Sequence, residues 1–217
     1  MAALSVGVEP ARRLFDEQAG QFLAACGSLS ELELLDPSRC RGWSRLELVV
    51  HVRAGLDELA ATAGIPAGRP VDTDAAGYWA RPPDDRDDDP VRHILWARRT
   101  ASAYSRPASA IRHLEDAAGR ARAVVAAAPD RPVLFQGHAM TMGDFIATWV
   151  VELAVHVLDL DVPVEPVGAG LARRTLEALV DEELPAALTD AEAVLAGLGR
   201  TPWPTGTPRP PGIPVTL

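Results

Sequence analysis

The stretch MGDFIATWVVELAVHVLDL, Met142 to Leu160, is apolar on every side between Phe145 and Leu158 except at Thr148, Glu152 and His156. Its length and lack of turn residues read as one buried helix. Glu152 and His156 are four residues apart, so on a helix they share a face, one turn apart. Phe145 and Trp149 lie on that same face and mark it as a core face. An unpaired carboxylate there would cost several kcal/mol or more. Either the two side chains satisfy each other, or a cation sits between them. An oxygen and a nitrogen at this spacing suit a divalent metal.

Working outward, Thr141 and Asp144 form a T-x-x-D cap at the start of this helix. A second helix begins at Ser44. Ser44 and Glu47 form an S-x-x-E capping box, with Trp43 and Leu48 at the positions of a hydrophobic staple. That helix runs to about Ala63 and stops at Gly64 and Pro66. His51 lies two turns in, and Ala54 and Gly55 leave space one turn beyond it. A first helix covers about Glu9 to Leu35, with Gly27 loosening or breaking its later part. A third helical region covers about Pro90 to Ala128, with a kink or a break at Pro107. Residues 65–89 form a long loop rich in Gly, Pro and Asp. Its run from Asp84 to Asp89 reads as solvated, and its Tyr78 and Trp79 as surface anchors or pocket-lining residues.

After Leu160 the character changes. Pro163 and Pro166 mark an exit, one or two helices lie within Gly168 to Leu198, and TPWPTGTPRPPGIPVTL is too proline-rich for helix. This tail is either a strap or disordered. No run of alternating strands stands out. The expected architecture is all-α. It divides into a four-helix bundle over residues 1–160 and a helical, proline-rich extension over residues 161–217.

The chain has 217 residues, 47% apolar and 24% charged, the proportions of an ordinary globular protein. A net charge of −9 argues against a nucleic-acid surface and against an anionic membrane. All 21 basic residues are Arg, and Asn is absent, which suits a GC-rich genome. Cys26 and Cys40 form no CxxC pair, and no apolar span of about 20 residues occurs. A cytoplasmic location with reduced thiols is expected, as a monomer or a homodimer.

In a bundle, polar residues on one helix can meet those of another. His51, Glu152 and His156 would supply two imidazoles and one carboxylate, the donor set of a metal site with an open fourth position. The alternatives are a helix ion pair and a satisfied core histidine. His138, just before the cap of the last bundle helix, reads as a solvent histidine or a substrate contact. His93 and His113 read as surface residues. The arginines at 41, 45 and 53 read as solvated.

The segment GWSRLELVVHV, Gly42 to Val52, resembles the N-terminal signature of the mycothiol-dependent maleylpyruvate isomerase family. VELAVHVLDL, Val151 to Leu160, resembles its second signature. That family belongs to the DinB-like metal-binding four-helix bundles. The resemblance implies that His51, Glu152 and His156 bind a divalent metal, usually zinc, and that the thiol is mycothiol, found in actinobacteria. It covers about residues 8–160, with a fainter trace at LAGLGRTPWP. Asp159 matches the acidic position of the closing Asp-Leu pair, where it can orient His156 or simply end the helix. Many relatives carry a separate C-terminal α/β domain, which here is expected to be absent or reduced. The implied function is metal-dependent chemistry on a small electrophile with a low-molecular-weight thiol, as S-transfer or isomerisation. The alternatives are a non-catalytic metal-binding bundle that binds a ligand or protein, and a bundle whose site has lost its metal.

Overall fold

The computed structural model describes residues 2–80 and 89–215; the acidic run lies mostly outside them. The helices are α1 (Val8–Gly27), α2 (Arg45–Thr62), α3 (Pro90–Ser102), α4 (Pro107–Ala127), α5 (Met142–Asp159), α6 (Ala169–Val180) and α7 (Asp190–Gly197). A hairpin of β1 (Val133–Phe135) and β2 (His138–Met140) precedes α5. Helix α1 packs against α4 and α5, and α2 packs against the same two. The successive helices α1 and α2 therefore occupy opposite corners of a four-helix bundle. This is the expected DinB-like all-α architecture, with one small hairpin added.

Local chemistry fixes the helix that carries His51. Ser44 caps α2: its hydroxyl accepts from Glu47 N at 3.2 Å, and Glu47 Oε2 accepts from Ser44 N at 2.7 Å. The capping box is complete, which fixes where the helix starts. Helix α5 starts with half of such a box. Thr141 Oγ1 accepts from Asp144 N, but the Asp144 carboxylate takes the Val6 N–H at 2.8 Å and the Thr141 hydroxyl. The N-terminal segment is thereby tied to the start of α5.

The structure decides between some sequence-based alternatives and departs from other expectations. Helix α1 ends at Gly27, and Glu33–Leu35 is a separate 3-10 turn. At Pro107 the expected interruption is a full break: Pro107 begins α4, and α3 lies against α2 outside the bundle. The hairpin turns at Gln136 and Gly137, both at positive φ (46° and 82°). Only three residues flank this turn on each side, too few to show an alternating pattern. Tyr78 and Trp79 are 8% exposed and belong to the core. Tyr78 stacks on Phe135 and bonds Gln136, which draws the loop inward. The described part of the proline-rich tail packs on the body as a strap: Ile213 is buried, and Val215 N donates to Gly197 O.

Gly55 does not leave free space. A Cβ there would stand 2.9 Å from Trp149 Cζ3, so the indole of α5 fills the gap one turn beyond His51. Trp149 also leans on Phe135, with ring centroids 5.7 Å apart. Gly55→Ala should therefore destabilise the fold by about 1–3 kcal/mol, as overpacking does. A thermal melt unchanged from wild type would contradict this packing.

Candidate metal centre

The two bundle helices α2 and α5 bring His51 to Glu152 and His156. His51 Nε2 lies 2.8 Å from Glu152 Oε1, and His156 Nε2 lies 3.2 Å from the same oxygen. One ligand atom from each residue falls within 4.8 Å of the others, and among the described residues this is the one such group of three. All three residues anticipated from the sequence converge. The side chains of His51 and Glu152 are 21% and 22% exposed, against 9% for His156. The cluster is thus partly open to solvent on the His51 and Glu152 side.

Each imidazole aims Nε2 at this point and engages a support through Nδ1. His156 Nδ1 lies 3.2 Å from Asp159 Oδ2. Asp159 is fully buried, and its Oδ1 accepts from Arg200 Nε at 3.0 Å. Asp159 thus orients His156, as ligand histidines are generally oriented by an outer carboxylate. Arg200 comes from the LAGLGRTPWP stretch, so the extension is joined to the site. His51 Nδ1 lies 3.3 Å from His93 Nε2 on α3. His93 is therefore no surface residue: it is half-buried, edge-on to both Trp43 and His51. The sequence reading missed it because apolar and basic residues are mixed along α3, with Val91 and Leu95 exposed, and a lone His there carries no spacing signal.

Electrostatics inside the cluster are strong. Burial opposes ionisation of Glu152, but His156 and His51 override it and hold the carboxyl well below the usual range. Burial also opposes a charge on His156. Glu152 and Asp159 outweigh that effect and raise its pKa from 6.5 to about 9. For Asp159, desolvation is overcome by His156 and Arg200, and its pKa falls. The donors are thus an anionic oxygen and two imidazole nitrogens, a set that suits zinc and similar divalent ions.

Of the remaining polar residues, Cys40 borders the cluster, its sulfur accepting from Arg200 Nη2 at 3.9 Å. Cys26 is buried, and Cys40 is pushed up to about 11, chiefly by desolvation and by Asp159, so neither offers a ready thiolate. His138 is exposed on β2, 3.9 Å from Asp72, and His113 is exposed beside Tyr104. Arg45 bonds Glu33 O and Arg53 pairs with Asp57. A groove of about 700 Å³ lies beyond Trp43, lined by Glu47, Arg98 and Tyr104 among others, and none of the three converging residues lines it.

The family model of the mycothiol maleylpyruvate isomerase N-terminal domain matches residues 15–161. The chain belongs to that family. Two crystal structures are similar in fold, one of the mycothiol-dependent maleylpyruvate isomerase and one of a histidine-to-alanine mutant of it. Each aligns at 18% identity with a TM-score of 0.56, covering 83% of this chain and 72% of the other. That coverage is longer than residues 15–161, so the likeness continues outside the family match. No curated protein matches the chain. No helix among the described residues is long and apolar enough to cross a membrane.

The charge on His156 gives a pH dependence with a definite sign. In metal-free protein its raised pKa stabilises the fold fully below pH 6.5, and that contribution is lost as pH rises through about 9. A cation needs the neutral ring, so binding near pH 7 must release about one proton per ion, and affinity should rise with pH up to about 9. Calorimetry in buffers of different ionisation enthalpy measures this. Zero proton release at neutral pH would contradict the arrangement.

Proposed function

We propose that the chain binds a divalent cation, zinc by the chemistry of its donors, through His51, Glu152 and His156. We further propose that it uses a low-molecular-weight thiol, mycothiol, in S-transfer to, or isomerisation of, a small electrophile. The observation that carries the reading is the convergence of two Nε2 atoms on one carboxylate oxygen at 2.8 and 3.2 Å, at a partly exposed point. Family membership, and similarity in fold to a mycothiol-dependent maleylpyruvate isomerase, support the choice of thiol.

A bound ion of this kind supplies Lewis acidity that brings a thiol, ordinarily near pKa 8.5, to thiolate at neutral pH. The chain's own residues do the rest. Glu152 stays ionised and balances part of the cation's charge. Asp159, held by Arg200, keeps the His156 ring from rotating and its Nε2 pointed inward. Trp149, packed against Gly55 one turn from His51, closes the core side, while the edges of His51 and Glu152 are partly exposed.

A second reading is a cation-binding bundle without catalysis, serving as a ligand- or protein-binding module. It is favoured by the position of the 700 Å³ groove, which lies away from the three donors. One set of measurements separates the readings. Untagged protein should carry close to one divalent ion per chain, and His51→Ala should lower that content sharply while leaving a folded helical protein. Mycothiol added to cobalt-substituted protein should shift its visible spectrum, and an electrophile such as maleylpyruvate should then be converted. Unchanged metal content in His51→Ala would overturn the ligand assignment. A spectrum and an electrophile both indifferent to mycothiol would overturn the enzyme reading.

A further inference from the structure

We infer that His93 is a positioning residue for His51: it accepts the Nδ1–H of His51 and so fixes which nitrogen of that ring is free to bind a cation. The inference rests on the cation reading of the site and assigns a role to a side chain outside the three donors.

The geometry is specific. His51 Nδ1 and His93 Nε2 are 3.3 Å apart, and the ring centroids are 5.0 Å apart at an interplanar angle of 62°. His93 does not reach this place on a mobile side chain. Trp43 meets it edge-on at 5.2 Å, and Trp96 leans on it at 5.5 Å. Trp43 also meets His51 edge-on at 5.0 Å, so one indole aligns both rings. The backbone sets the approach. Asp89 caps α3 through the Val91 N–H, Pro90 opens the helix, and α3 lies along α2. His93 therefore faces α2 at the level of His51.

The chemistry follows from the two nitrogens of an imidazole. A ring that gives its Nε2 lone pair to a cation must carry its proton on Nδ1. That N–H is half-buried and needs an acceptor. For His156 the acceptor is the Asp159 carboxylate, and for His51 the atom in reach is His93 Nε2. The two ligand rings thus have different supports, a carboxylate for His156 and an imidazole for His51.

The test compares zinc binding to the whole chain by chelator competition in wild type, His93→Phe and His93→Gln. The Phe variant keeps a ring between Trp43 and Trp96 but offers no acceptor. The Gln variant places a carboxamide oxygen near the position of Nε2. His93→Phe should weaken zinc binding by about 10–100-fold, the usual loss for an outer partner of a ligand histidine. His93→Gln should bind nearly as tightly as wild type. Long-range ¹H–¹⁵N spectra of zinc-loaded wild type should show the His51 proton on Nδ1 and His93 Nε2 bare, a signature that packing alone would not set. The inference is overturned if His93→Phe binds zinc like wild type, if His93→Gln falls as far as His93→Phe, or if His93 Nε2 carries the proton. Should His93→Phe not fold by circular dichroism, the Gln variant and the wild-type spectra still decide. Failure of the cation reading looks different: wild type and His51→Ala would then bind zinc equally poorly, and the inference would fall with it.

Discussion

A single carboxylate oxygen, Glu152 Oε1, is shared by two imidazoles from different helices, and the rest of the structure is arranged around it. A charged oxygen this close to the core is tolerable only with partners. Two Nε2 atoms within hydrogen-bonding reach provide them, and each ring is in turn held from behind. Asp159 and Arg200 hold His156, and His93 lies behind His51. The polar network is thus closed outward in two directions. Such networks specify one arrangement when every member is satisfied.

The helices deliver these groups through ordinary local rules. A complete capping box sets the start of α2 and hence the height of His51. The cap on α5, together with the anchoring of Val6 by Asp144, sets the height of Glu152 and His156. Gly55 lets the Trp149 indole come close to α2, which brings the two helices together one turn from the site. The extension beyond Leu160 is no loose appendage: Arg200 reaches a fully buried Asp159.

Much of this was legible in the sequence. The S-x-x-E box, the apolar helix and its polar interruptions located α2, α5 and three converging side chains, because capping and helical periodicity act over a few residues. What could not be read was tertiary. His93 gains its meaning only when α3 folds against α2, and nothing in its own neighbours signals that. Arg200 is one arginine of many until the tail turns back to Asp159. The Gly55 gap looked empty because its occupant comes from a helix almost a hundred residues away. The three-residue strands of the hairpin are too short for alternation to show.

The most direct test of the central claim is X-ray absorption at the metal edge of untagged protein purified without added metal. The account predicts a first shell of nitrogen and oxygen at about 2.0–2.1 Å, with the scattering pattern of two imidazoles. A shell dominated by sulfur near 2.3 Å, or a protein with no divalent metal that also takes none up on titration, would contradict it.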